Sequence, residues 1–226
     1  MSKISIAIDG PSGAGKSTLA KMMAKEFGFI YVDTGAMYRA IGLYVCRKGV
    51  QTSDIPGVIA CLDDISVDIR YVDGAQHVFL NDEDVSGLIR TEEISRYASA
   101  VSAIPEVRAF LLSLQRTLAQ NSDVIMDGRD IGTVVLPDAP IKVFLTADDS
   151  DRAMRRYTEL KERGEDVTFE GVLANLRERD GHDSERAVAP LRPAEDAVLL
   201  DTTGIGLEES AAMLKDIITE KMDYVF

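Results

Sequence analysis

Ile4-Ser5-Ile6-Ala7-Ile8-Asp9-Gly10-Pro11-Ser12-Gly13-Ala14-Gly15-Lys16-Ser17-Thr18 joins an apolar strand to an amphipathic helix through the pattern G-x-x-x-x-G-K-[ST]. In that setting the pattern has a mechanical meaning. The glycines let the backbone curl so that successive N–H groups point at anionic oxygens, and the helix that starts near Lys16 aims the positive end of its dipole at the same place. Lys16 can reach β- and γ-phosphates, and the Ser17 hydroxyl can hold Mg2+. Residues Gly10 to Thr18 therefore read as a phosphate loop opening an α/β fold.

Outward from the loop, Leu19, Met22, Met23 and Phe27 fall on one helical face, and Gly28 ends the pattern. Short apolar runs at Val124 to Met126, Ile141 to Leu145 and Ala197 to Leu200 adjoin helical patterns, which predicts a parallel sheet covered by helices on both faces. Helices are expected around Val107-Phe110-Leu111-Leu114-Leu118 and Leu207-Ala211-Leu214-Ile218, with a basic helix from Arg152 to Gly164 and a fresh one from about Thr168. The middle departs from this rhythm. Ile65 to Val72 alternates with period two, Asp73-Gly74 is a hairpin signal and Gln76 to Leu80 resumes the extended pattern, so residues about 62 to 86 read as a small antiparallel insertion.

With 226 residues and a net charge of −13, the chain can bury one sizeable core and lacks the positive field that nucleic acid or an anionic membrane requires. A small-molecule partner is expected. Cys46 and Cys61 form neither a disulfide framework nor a zinc pattern, and no run approaches the ~20 apolar residues of a membrane span. The run Ile4 to Ile8 leads straight into the loop and is no signal peptide, so the chain reads as cytoplasmic.

A phosphate loop alone does not separate a kinase from a switch or a motor. Asp33-Thr34-Gly35-Ala36-Met37-Tyr38-Arg39 follows an extended Phe29 to Val32 and offers a hydroxyl, a glycine and an arginine for a second anion. Asp127-Gly128-Arg129-Asp130 emerges at the carboxyl end of a strand, where open parallel sheets bind ligands. Arg177 to Arg186 alternates charges; alone it reads equally well as a solvated helix end. Several arginines beside a phosphate loop suit a second phosphate held in line with the γ-phosphoryl group.

Together, Ala7 to Ser17, Asp33 to Arg39, Asp127 to Val135, and Arg179-Asp180 with Asp183-Ser184 and Arg186 resemble the bacterial cytidylate kinases over nearly the whole chain. The resemblance implies a P-loop kinase core of residues 1–34 and 105–226 with a lid at about 150–168, and a nucleoside-monophosphate domain at 35–104. It implies Mg2+-dependent transfer of the ATP γ-phosphoryl to CMP or dCMP. By similarity Arg39, Arg129 and Arg186 grip the CMP phosphate, with Lys16, Arg129 and Arg186 as the catalytic cations. Arg179 and Asp183 contact the sugar; Ser99, Arg108 and Asp130 read the cytosine; Thr34, Gly35 and Tyr38 line the same pocket. Either Arg155 or Arg156, in the lid, closes on ATP. Thr34 stands where many relatives have serine, which preserves the hydroxyl.

The base assignment also has a physical basis. Cytosine offers an amino donor that the Asp130 carboxylate can accept and an N3 acceptor suited to Arg108, and uracil reverses both polarities. No general base is needed, because the attacking oxygen of CMP is already anionic. His77 and His182 read as surface residues. Asp9 and Asp127 end strands by the phosphate site and suit either a hydrated Mg2+ or loop amides. ATP and CMP or dCMP are the expected partners of a monomer, with no nucleic acid and no membrane. The rival readings are a kinase for UMP, TMP or an alcohol, a GTP switch (no N-K-x-D occurs), and a slow ATPase without an acceptor.

Overall fold

The computed structural model describes residues 3–72 and 74–225, and the chain divides into two compact units, Met1–Tyr31 with Ala119–Phe226 and Val32–Leu118. The first unit is built on β1 (Ser5–Asp9), whose Ile6, Ala7 and Ile8 are wholly buried. A strand buried on both faces reads as a continuous apolar run and belongs inside a parallel sheet. Accordingly β1 pairs in parallel with β6 (Val124–Gly128) on one side and β7 (Ile141–Thr146) on the other, and β7 pairs in parallel with β8 (Val198–Asp201). With β2 (Ile30–Asp33) the sheet has five strands in the order β2-β6-β1-β7-β8. The expected strands are present, and the architecture is α/β.

Helix α1 (Lys16–Phe27) buries Leu19, Ala20, Met23 and Ala24 and ends at Gly28, whose φ of 71° is the left-handed cap that glycine adopts without strain. Met22 does not join the buried stripe and is exposed. Adjacent helical positions are ~100° apart, so once Met23 takes the core the neighbouring methionine turns away. Leu214 and Ile218 of the last helix pack into the same core as Ile125, Ile141 and Leu145. Between β7 and β8, the long helices Asp149–Glu162 and Phe169–Glu185 form an αα-hairpin with its own small core of Ala153, Leu160 and Val172 and an edge-to-face pair of Tyr157 and Phe169. Thr168 caps the second of them by accepting from the Gly171 amide at 3.2 Å. Among the described residues no helix is long and apolar enough to cross a membrane.

The second unit contains the antiparallel insertion. Val67–Val72 pairs with Ala75–Leu80, which pairs in turn with Glu83–Asp84. Gly74 has a φ of 76°; its expected turn partner Asp73 lies outside the described residues. The next turn is one the sequence reading passed over: Asn81 and Asp82 both have positive φ, 48° and 65°, the conformation a two-residue hairpin needs and that Asn and Asp tolerate best among non-glycines. Helix α2 (Thr34–Arg47) packs against α4 (Glu92–Val101) at Gly42, where a Cβ would meet Ala98 N at 2.9 Å. Neither helix was singled out in advance, although Thr91 followed by two glutamates is a regular helix start.

Candidate active site

The parallel strands β1, β6, β7 and β8 deliver their carboxyl ends to one edge of the first unit, and the polar residues collect there. Gly10 leaves β1 with a φ of 150° at a point where a Cβ would lie 1.9 Å from Leu145 O, so only glycine passes. Gly13 and Gly15 are also left-handed, at 74° and 90°, and the loop closes on α1, where Leu19 N reaches Gly15 O. Lys16 lies buried and donates to Pro11 O at 2.6 Å. Burial first, and the Arg129 charge second, pull its pKa down to about 7, against the opposing pull of Asp127, Asp9 and Asp183. The Ser17 hydroxyl donates to Asp127 at 2.8 Å, and Tyr31 donates to the other oxygen of the same carboxylate at 2.9 Å. Ser17 and Asp127 thus offer two oxygens side by side, the ligand type a hard cation takes.

Asp9 has a different task. Its two oxygens each accept an amide, Ile131 N and Gly132 N, both at 2.7 Å, which fixes the wide turn of Ile131–Val135. Burial lifts its pKa to about 6 against those two hydrogen bonds. The turn follows directly on Arg129 and Asp130. Arg129 donates through Nε to Asp183 at 2.8 Å, and Arg186 stands 3.6 Å from Asp130 and 3.9 Å from Asp183. Burial alone would raise the Asp183 pKa, but Arg129, followed by Arg186 and Arg179, holds it below the usual range. The first unit therefore brings Lys16, Ser17, Arg129, Asp130, Arg179, Asp183 and Arg186 into one charged cluster in which Arg129 and Arg186 face the carboxylates of Asp183 and Asp130.

Of the two arginines expected near ATP, Arg155 is tied down and Arg156 is turned along its own helix. Arg155 donates to Ala14 O at 3.3 Å, Thr202 O at 2.7 Å, Thr202 Oγ1 at 3.2 Å and Ile205 O at 3.4 Å. Arg156 Nη1 donates to Glu159 at 2.8 Å.

In the second unit Thr34 and Gly35 start α2, and Asp33 caps it by accepting from Ala36 N at 2.8 Å. The other Asp33 oxygen holds Arg39 at 2.9 Å, with Arg90 at 3.6 Å. Gln76 of the antiparallel insertion closes on the same residue, accepting from Asp33 N at 2.8 Å and donating to Asp33 O at 3.2 Å. Tyr38 lies under the Arg108 guanidinium, 5.8 Å from ring centroid to Cζ. Arg108 also donates to Ser102 O at 3.3 Å, and Ser102 donates to the carbonyl of Ser99. His77, read as a lone surface histidine, has a partner in Asp84 at 2.7 Å.

Two residues without an assigned part in the sequence reading, Arg152 and Asp180, touch the phosphate loop itself. Arg152 is buried and donates to Ser12 O at 2.8 Å, and Asp180 accepts from Ser12 N at 3.1 Å. Both lie inside charged runs whose periodicity gives no sign of which member turns inward.

The model of the cytidylate kinase family matches residues 6–220. Among curated proteins, a cytidylate kinase of Caldicellulosiruptor saccharolyticus is 51% identical over 209 residues, 92% of each chain. One of Streptococcus gordonii is 46% identical over 224 residues, covering 99% of this chain and 100% of the relative. Among solved structures, an uncharacterized protein from Eubacterium ventriosum aligns over 96% of this chain and 99% of its own with a TM-score of 0.54 at 13% identity, a likeness of fold.

Proposed function

From the premise that the chain belongs to the cytidylate kinase family, we propose that it transfers the γ-phosphoryl group of ATP to CMP or dCMP, giving ADP and CDP or dCDP. The observation that carries the reading is the cluster at one sheet edge, where the phosphate-loop Lys16 and the Ser17–Asp127 pair share a site with Arg129 and Arg186. That is the charge a phosphoryl transfer between two anions requires, since such catalysis rests on positioning and on neutralising spread negative charge.

In this reading Gly10 to Thr18 cradle the ATP phosphates, and Lys16 follows the transferring group. The Ser17 hydroxyl, with Asp127 beside it, would hold Mg2+, which would supply positive charge against the phosphates. Arg39, Arg129 and Arg186 take the CMP phosphate, Arg179 and Asp183 the sugar, and Ser99, Arg108 and Asp130 the base, with Thr34, Gly35 and Tyr38 lining that pocket. Either Arg155 or Arg156 closes on ATP from the lid; Arg155 is held by four backbone and hydroxyl oxygens and Arg156 by Glu159, so closure by either exchanges existing contacts. The same proposal takes residues 1–34 and 105–226 as the core, with a lid at about 150–168, and residues 35–104 as the acceptor domain of a cytoplasmic monomer.

ADP release from ATP and Mg2+, followed with and without CMP, tests the assignment. A kinase releases ADP only with the acceptor, in equal amount to CDP. Equal ADP release in both reactions would identify an ATPase and exclude this function.

A further inference from the structure

The outer face of the phosphate loop is not self-supporting. Both peptide groups of Ser12 are held by side chains of the αα-hairpin: Ser12 N donates to Asp180 Oδ1 at 3.1 Å, and Ser12 O accepts from Arg152 Nη1 at 2.8 Å. The two side chains are themselves ion-paired, Arg152 Nη1 with Asp180 Oδ2, which closes a ring of three hydrogen bonds around one residue. Arg152 cannot move away easily. Its Nε donates to Ala147 O at 2.8 Å, its Nη2 binds Asp149, and Asp149 is held in turn by Arg177 at 3.1 Å.

The neighbouring loop residues are touched from the same side. A Cβ on Gly13 would stand 3.0 Å from the Arg152 carbonyl and 3.2 Å from a Leu176 methyl, and Ala14 O accepts from Arg155. Ser12, Gly13 and Ala14 are thus each in contact with the hairpin helices. A fork donor on one peptide oxygen and a carboxylate on the amide of the same residue fix the direction of that peptide more tightly than either alone.

We propose that Arg152 and Asp180 are positioning residues for ATP: the pair holds the phosphate loop in its phosphate-receiving curl and ties that curl to the helix bearing Arg155 and Arg156. The inference rests on the reading that this loop binds ATP, and it adds a direct mechanical link between the loop and the lid helices. Neither residue touches the phosphates or the acceptor in this account. Breaking the pair should loosen the grip on ATP and leave the grip on CMP alone.

Asp180→Asn is the informative variant, because it keeps Oδ1 for the Ser12 amide while presenting an amide donor to the Arg152 guanidinium. Arg152→Lys is the second; it retains the charge and loses the fork. ATP dissociation constants from titration calorimetry without CMP, KM for CMP at saturating ATP, and thermal midpoints are compared with the parent. Loss of one charge-assisted contact corresponds to roughly tenfold weaker ATP binding, with KM for CMP within about twofold, the margin expected for a site the change does not touch. The inference fails if either folded variant binds ATP as the parent does, if both nucleotides weaken by the same factor, or if both variants lose the folded state, which would make the pair a general folding element. A parent protein that binds ATP but does not phosphorylate CMP would instead remove the proposed function and leave the loop clamp standing.

Discussion

Lys16 carries a signature that can be read by titration. Its folded pKa of about 7 lies well below the 10.5 of the free side chain, so between those values the unfolded chain binds the extra proton. By linkage, this group's contribution to stability rises as pH increases through that window. At pH 8 the folded protein therefore holds Lys16 mostly uncharged, whereas a bound triphosphate favours the charged form. ATP binding should take up a proton at pH 8, measurable as a buffer-dependent binding enthalpy, and Lys16→Met should abolish that uptake. The same variant should lose about a hundredfold in turnover, or roughly 3 kcal/mol of transition-state stabilisation. A folded Lys16→Met protein with normal turnover would mean that the loop has been misread. Asp130 tests base identity instead of phosphate chemistry. If Asp130 reads the base as proposed, Asp130→Ala should reduce the CMP-to-UMP ratio of kcat/KM, a discrimination on the order of 1–3 kcal/mol, by removing an acceptor for the cytosine amino group and a repulsion against the uracil O4. An equal loss on both acceptors would assign Asp130 to structure, where its 3.6 Å approach to Arg186 offers a reason.

At the scale of elements, the loop glycines separate steric from conformational demands. A Cβ at Gly10 would meet the Leu145 backbone oxygen at 1.9 Å, whereas at Gly15 the nearest heavy atom is an Arg155 nitrogen at 3.9 Å and only the φ of 90° opposes a side chain. Gly15→Ala should therefore cost about 1–2 kcal/mol of stability, and Gly10→Ala should cost more than that or prevent folding, because the clash is with β7 and not with a side chain that can turn away. Chemical denaturation of the two variants gives the comparison; equal losses would refute it. In the insertion, Gln76 grips both peptide groups of Asp33, the residue that caps α2 and holds Arg39. Gln76→Ala should raise KM for CMP severalfold while leaving KM for ATP unchanged, if Arg39 serves the acceptor phosphate. The central elements were legible because unbroken apolar runs, a glycine-rich loop and period-two alternation each have one natural structure. Helices α2 and α4 were harder: α2 is apolar on most sides and its cap, Asp33, reads equally as a site residue. The Asn81-Asp82 turn lacked the glycine that advertises such turns.

For the whole molecule, the negative surface and the cationic cluster are separate facts. A net charge of −13 argues against a polyanion-coating role without predicting how Lys16, Arg129 and Arg186 are distributed. The family and its fold were readable from Gly10–Ser17, Asp33–Arg39 and Asp127–Val135, because backbone-dictated motifs survive as contiguous strings. Parts of the site that depend on which face of a charged helix turns inward were not: Arg152 and Asp180 look like their solvated neighbours until the helices pack, and Asp9 could have served a cation or the Ile131 and Gly132 amides with equal logic. The central claim is that this chain phosphorylates the cytosine monophosphates, and the most direct test is kcat/KM for CMP, dCMP, UMP, AMP and TMP offered singly with ATP and Mg2+. The account requires CMP and dCMP to exceed the others by more than the roughly 10- to 200-fold that pocket shape alone supplies, because the wrong base leaves buried polar groups mismatched. Comparable efficiency with AMP or TMP would contradict it.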